Sequence, residues 1–368
     1  MDKIVFITGA SSGIGAGCAR KFASQGASLI LNARNVNKLS ALKEELEKQY
    51  GAKIYLLPFD VRDRKAATSA LESLPKEWQS IDILVNNAGL VIGTDKEQEG
   101  SLDEWDIVID TNIKALLAMT RLIVPGMVTG IHCCCVGDWV NQDRKELIRH
   151  YRKDLDYAMR VGAEYVVFHV VQVDDEEGFT YERKHTDREV VDVAAAFINE
   201  LLDGQEYSFW FLMENLWWPG LTFLEPEDTR ALISQVHYGK KGFMLDTGHY
   251  LHTDLELRTQ EEAVEALHRM LDRQKDMIPY IKGLHLQQSL TGDYVKEWLQ
   301  TPHELPEDPT ERFCKVYEHI FRIDKHEPFT AAGVKGLVER IAPMYVTYEY
   351  ITRSREELAE YLERGRSE

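Results

Sequence analysis

Short β-branched and aromatic runs, each followed by an amphipathic helical stretch, recur along the whole of this sequence. That alternation restricts the chain to an α/β architecture built from parallel, right-handed βαβ units. In the first third, strands are predicted at Ile4–Ile7, Ser28–Ala33, Lys53–Pro58 and Asp82–Val85. Helical patterns lie between them, at Asn37–Tyr50, around Arg64–Leu74, and from about Thr111 to Val124 before Pro125-Gly126. Beyond Val128 the apolar runs change character, because each now ends in a polar side chain.

Charge changes at the same place. The chain of 368 residues carries a net charge of −18. Residues 1–128 hold 15 Lys+Arg against 16 Asp+Glu, whereas residues 129–368 hold 28 against 45 and all 12 histidines. Two parts with different chemistry, 1–128 and 129–368, are therefore expected. The acidic balance argues against a nucleic-acid or anionic-membrane partner. No apolar run reaches the roughly 18–20 residues of a membrane helix. The strand at Ile4 leaves no room for a signal peptide, and Cys133-Cys134-Cys135 has no metal-site or disulfide spacing, so a reduced cytoplasmic setting is expected.

In the first part, Thr8-Gly9-Ala10-Ser11-Ser12-Gly13-Ile14-Gly15 follows the first strand and opens a helix. Glycines there permit a tight turn and close approach of backbone N–H groups to a pyrophosphate at the helix N-terminus. Together with Asp60-Val61, Asn86-Asn87-Ala88-Gly89 and Asn112, the loop makes residues 1–128 resemble the short-chain dehydrogenase/reductase family. The resemblance implies a Rossmann half that holds a dinucleotide with Gly9, Ser11, Gly13, Ile14, Gly15, Asp60, Val61, Asn87, Ala88, Gly89 and Asn112. At the end of the second strand stands Arg34 in place of a carboxylate, which favours NADP over NAD. The family's catalytic Tyr-x-x-x-Lys is missing: none of the 16 tyrosines has a lysine four residues later.

The second part offers apolar runs at Ile131–Cys135, Tyr165–His169, Phe209–Asn215, Gly242–Asp246, Ile281–His285 and Tyr345–Glu349, which bring His132, His169, Glu214, Asp246, His285 and Glu349 to strand ends, with helical patterns such as Asp143–Met159, Arg188–Leu202 and Gln260–Arg273 between them. Polar groups gathered at strand C-termini are what a (β/α)8 barrel active site requires. Imidazole and carboxylate together suit Mn, Zn, Co or Fe as divalent ions. The stretches Leu212–Asn215, Leu245–His249, His285–Ser289 and Val346–Glu349 resemble the xylose-isomerase-like barrel family, which includes sugar epimerases, sugar isomerases and endonuclease IV. The resemblance implies a metal held by Glu214, Asp246, His285 and Glu349, with Glu214 and Glu349 moving a proton beside a substrate carbonyl. His249 would face the substrate or a second metal, and His132 and His169 are further candidate ligands. Endonuclease IV is the less favoured relative, because its Asp-x-His is not found where the chain reads Gln287-Gln288-Ser289. Trp217-Trp218-Pro219-Gly220 reads either as an aromatic loop over the pocket or as a packing corner.

Only the last six strands of such a barrel are recognisable. The expected fold is thus a truncated Rossmann sheet joined to an incomplete barrel, with one continuous parallel sheet as a candidate arrangement. Open edges invite self-association. Three functions stay open: a divalent-metal-dependent isomerase or epimerase of a small sugar-like substrate, an NADP-binding protein with little turnover, and a fold chimera with no activity.

Overall fold

The structure is a computed structural model that describes residues 3–92, 101–124, 128–133 and 143–366. The expected helix stop at Pro125-Gly126, and Cys134 and Cys135, lie outside the described residues. The chain divides into two compact units, Met1–Val128 and Thr129–Glu368.

In the first unit, β1 (Ile4–Ile7), β2 (Ser28–Leu31), β3 (Ile54–Leu56) and β4 (Ile83–Val85) form a parallel sheet in the order β3-β2-β1-β4. Alternate residues of a strand face opposite ways. Val5, Ile7, Leu29 and Leu31 accordingly pack with Leu39, Leu42 and Leu46 of the helix Val36–Tyr50. Phe6 and Ile30 pack on the other face with Ala67, Ala115, Met119 and Ile123. Burial on both faces explains why these strands are continuous apolar runs.

The helix expected from about Thr111 begins earlier, at Leu102, and runs to Ile109. It continues through a π-helical turn, Asp110–Ala115, into Leu116–Ile123. Asp103 and Glu104 in its first turn suit the positive end of the helix dipole. Asn112 sits in the π turn and fastens the chain at Leu90, accepting its N–H at 2.9 Å and donating to its carbonyl at 2.8 Å.

In the second unit, β5 (Gly130–His132), β6 (Tyr165–His169), β7 (Trp210–Glu214), β8 (Lys241–Asp246), β9 (Ile281–His285) and β10 (Tyr345–Thr347) pair in sequence order. All neighbours are parallel. The sheet curls: the Tyr165 ring of β6 lies 4.4 Å from the Tyr345 ring of β10, and its hydroxyl is 3.3 Å from Thr347 Oγ1. Tyr165, Val167, Leu212 and Met244 fill the inside of this arc. Helices Arg144–Val161, Asp187–Leu202 and Gln260–Arg273 supply buried Leu155, Phe197 and Leu267. Their starts are written in the sequence: Asp143 accepts the Glu146 N–H, and Thr186 with Glu189 and Thr259 with Glu262 form capping boxes.

One continuous sheet is not what forms. The described strands make two sheets, since β4 pairs with β1 and β5 pairs with β6. The β5 ladder to β6 is extended by Glu164 N–H to Thr129 and Cys133 N–H to Val167, at 2.8 and 2.9 Å. These bonds commit the short strand to its sequence neighbour. Among the described residues, no helix is long and apolar enough to cross a membrane.

Candidate functional site

Parallel strands in register deliver their last residues to one end. His169 pairs with Glu214, and Asp246 pairs with His285. Glu214, fully buried, is the hub. Its Oε2 lies 2.9 Å from His132 Nε2 and 3.2 Å from His169 Nε2, while its Oε1 lies 2.8 Å from His285 Nδ1. His285 Nδ1 is also 3.4 Å from Glu349 Oε2 and 3.8 Å from Asp246 Oδ2. The donor atoms of Glu214, Asp246, His285 and Glu349 all lie within 4.8 Å of one another, as do those of His132, His169 and Glu214.

A third group adjoins these two. His249, Asp324 and His326 bring their donor atoms within the same 4.8 Å. Asp324 Oδ2 is 3.1 Å from His249 Nε2 and 2.8 Å from His326 Nε2. Directly after β9 the chain reads Gln287-Gln288-Ser289, as expected, but an Asp-x-His pair stands elsewhere, as Asp324-Lys325-His326. It comes after two further helices, Gly292–Trp298 and Pro309–Ile323, instead of directly after β9. Gln287 and Ser289 hold it there. The Ser289 hydroxyl lies 3.2 Å from Asp324 Oδ1 and accepts the N–H groups of Lys325 and His326 at 2.8 and 3.0 Å.

Outer partners fix the acidic groups, the usual way a ligand set is oriented. Asn215 exchanges two hydrogen bonds with the Asp246 backbone, and Gln287 donates to Asp246 Oδ1 at 2.8 Å. Asp246 Oδ2 and His169 Nδ1 are buried with no hydrogen-bond partner among the described residues. An orphaned buried carboxylate oxygen facing imidazoles and a second carboxylate is a donor set that fits a divalent cation.

Burial opposes ionisation of Glu214, yet His285, His169 and His132 hold its carboxyl well below the usual range. Burial, with Glu214 and Asp324 nearby, pushes Asp246 up to about 6 despite His249. Burial disfavours charge on His132 and His326, but Glu214 and Asp324 respectively raise them to about 9. Groups raised from 6.5 to about 9 contribute stability that is complete below 6.5 and lost as pH rises through 9. The metal-free protein is therefore expected to unfold at lower urea concentration at pH 9 than at pH 6.5. Urea midpoints after chelation check this, and a midpoint that rises across that window contradicts it.

In the first unit a cavity of about 320 Å³ is lined by Gly9, Ser11, Arg34, Asp60, Val61, Ala88 and Gly89 among others. Lys38 and Arg62 line it too. Asp60 accepts Arg62 Nη2 at 2.7 Å, and Arg34 Nη1 stands 3.8 Å from the same carboxylate. Gly13, Ile14, Gly15, Asn87 and Asn112 do not line that cavity among the described residues. Gly13 has φ +56° and Ile14 is largely exposed at the start of the helix Gly13–Ser24. Gly15 and Asn87 act on the loop itself: a Cβ on Gly15 would lie 2.5 Å from Asn87 Nδ2, which donates to the carbonyls of Thr8 and Gly9.

Residues 3–133 match the short chain dehydrogenase family, and residues 95–339 match the xylose isomerase-like TIM barrel family. An NADP-dependent 3-hydroxy acid dehydrogenase of Escherichia coli is 45% identical over 129 residues, 35% of this chain and 50% of that protein. A sulfoacetaldehyde reductase of Chromohalobacter salexigens is 41% identical over 128 residues, 35% of this chain and 50% of its own. The chain thus spans about half the length of the curated relatives it matches. A serine dehydrogenase structure from Escherichia coli is 27% identical, covering 58% of this chain and 80% of that one with a TM-score of 0.32.

Proposed function

This chain belongs to the xylose isomerase-like TIM barrel family, which its residues 95–339 match, and we propose that its barrel part is a divalent-metal-dependent phosphoester hydrolase. The observation that carries this reading is the junction of overlapping ligand groups, two of which share Glu214 and two His132. His132, His169 and Glu214 would hold one ion, Glu214, Asp246, His285 and Glu349 another, and His249, Asp324 and His326 a third. Bound there, Mn²⁺, Zn²⁺, Co²⁺ or Fe²⁺ would supply Lewis acidity to a phosphoryl oxygen and to water. Glu349, with 28% of its side chain exposed at the cavity, is placed to take the proton of the attacking water. His249 and His326, held by Asp324, line the same cavity, so an ion they hold would stand beside the bound ester. The water oxygen bonds to phosphorus, one ester oxygen leaves and is protonated as the alcohol, and no electron is transferred.

The second reading is an isomerase or epimerase of a small sugar-like molecule. The pairing of Glu214 and Glu349 about His285 favours it. Chelation, reconstitution and counting of bound ions, with hydrolysis of bis(4-nitrophenyl) phosphate, test the hydrolase. More than one ion per chain with hydrolysis is expected. Solvent-deuterium exchange into a sugar without hydrolysis would support the isomerase instead.

For the first unit we propose NADP binding without dehydrogenase turnover. Arg34, Lys38 and Arg62 around one cavity support a 2′-phosphate. Arg34→Asp is expected to weaken NADPH by about 10- to 100-fold, the worth of a charge-assisted hydrogen bond, and NADH far less. Fluorescence titration of both nucleotides checks this. Equal losses for both would sink the assignment of Arg34.

A further inference from the structure

A separate cavity lies beside the ends of β9 and β10, and nothing in the hydrolase reading uses it. It encloses about 250 Å³ and shares no described lining residue with the cavity at the ligand groups. Its place follows from the strand ends. His285 and Glu349 belong to the ligand groups, while their chain neighbours Leu286, Tyr348 and Tyr350 line this second space. Phe329 and Val334 line it with buried side chains, and Val338 stands one turn beyond Val334 on the helix Val334–Ile341. The remaining side is Gly365 of the C-terminal helix Arg355–Arg366. A Cβ there would press on the Tyr350 hydroxyl, and the Tyr348 hydroxyl donates to the Gly365 carbonyl at 3.5 Å. Glycine at this position lets two tyrosines come up to the helix backbone.

Size and lining set the class of occupant. An apolar cavity of about 150 Å³ takes one benzene ring. The about 250 Å³ present here leaves room for two fused rings and little more. The Tyr348 and Tyr350 rings lie 5.6 Å apart between centroids, inclined by 28°, and Tyr361 meets Tyr350 edge-on at 5.7 Å. Packing of this kind holds the rings in place, while Tyr348, 39% exposed, keeps part of its ring accessible. A flat ligand gains from such rings beyond the area it buries. Charge at the rim cancels, because Lys335 and Glu339 stand one helical turn apart. An anionic ligand would meet Glu339 and a cationic one Lys335, so neither head group is selected.

We propose that this cavity binds a small, neutral molecule of two fused flat rings, of the indole class, held between the Tyr348–Tyr350 pair and the valines Val334 and Val338. Binding here makes and breaks no covalent bond and needs no metal. It therefore stands or falls apart from the hydrolase reading.

Titration calorimetry of the full chain with indole, cyclohexanol, indole-3-carboxylate and tryptamine tests it. Indole is expected to bind with a dissociation constant of about 1 mM or tighter. Cyclohexanol, without a flat ring, should bind about 2- to 10-fold more weakly. Neither charged ring should exceed indole by more than about 5-fold, the reach of an exposed charge pair. Val338→Trp fills the space and should abolish indole binding. Tyr348→Ala should weaken it about 3- to 10-fold, and Tyr348→Phe should restore it. Absence of saturable indole binding, a preference above about 5-fold for either charged ring, or binding unchanged in a folded Val338→Trp chain overturns the proposal. Should Val338→Trp not fold, the Tyr348 variants decide alone, and equal affinity of Tyr348→Ala and the unaltered chain overturns it. All of these outcomes are read without metal or turnover, so they leave the hydrolase reading to its own test.

Discussion

Glu214→Gln is expected to strip the barrel of the ions that share this residue and to lower hydrolysis by more than about 100-fold, a span that losing an outer-shell partner alone reaches. The carboxylate belongs to two of the four ligand groups and contacts His132, His169 and His285. An amide keeps the shape but removes the charge those imidazoles face. Breaking such a buried pair costs about 3–5 kcal/mol where the histidines are protonated, so the variant should also melt earlier at pH 6. Asp324→Asn is the contrasting change: it lies in the third group alone and should remove one ion while the Glu214-centred ions stay. Metal analysis of both variants, beside rates, separates the two. Unaltered metal content in Glu214→Gln would contradict the role given to this residue.

Gly220→Ala should be the most destabilising single methyl in the barrel part. Gly220 has φ +146°, a region side chains rarely enter, and its Cβ would fall on the Val170 carbonyl oxygen and 2.9 Å from Val171 Cα. The contact exists because Val171 and Gly220 form an antiparallel bridge that closes the loop carrying Trp217 and Trp218. Backbone strain and overpacking each cost about 1–3 kcal/mol, so a loss of about 3 kcal/mol is expected. At about 2–4 °C per kcal/mol, that is a melting shift of roughly 6–12 °C. Gly204→Ala offers the control, because φ is +68° there but nothing among the described residues lies within 4 Å of its Cβ. Its loss should be strain alone and clearly smaller, and equal shifts for the two variants would refute the close-contact argument.

Strand identity was legible in this sequence because burial on both faces writes itself as unbroken apolar runs, such as Phe211–Met213 and Phe243–Leu245. The strand-end polar residues were legible for the same reason: a charged or imidazole side chain directly after such a run has nowhere else to point. Asp324 and His326 were not. They follow the amphipathic helix Pro309–Ile323 and belong to no strand, so no local pattern sets them apart from solvated loop charges. Their role comes from tertiary contacts, with Ser289 and Gln287 reaching across from the β9 loop. A search for Asp-x-His through the whole sequence after His285 would have found them. The helix ahead of Thr111 was missed because its start has no side-chain cap, and the irregular π turn at Asn112 interrupts its period. Sheet continuity across residue 128 was beyond any sequence pattern, since pairing of the three-residue β5 depends on which neighbour completes its ladder.

The claim on which the rest depends is that Glu214, Asp246, His285 and Glu349 converge on a cation shared with the histidine groups. Anomalous diffraction from crystals grown with Mn²⁺ or Zn²⁺, collected across the metal edge, tests it directly. The expected result is a peak bounded by these four residues, with at least one more peak beside Glu214 or Asp324. A fully loaded crystal whose only anomalous peaks lie elsewhere on the protein would contradict the account.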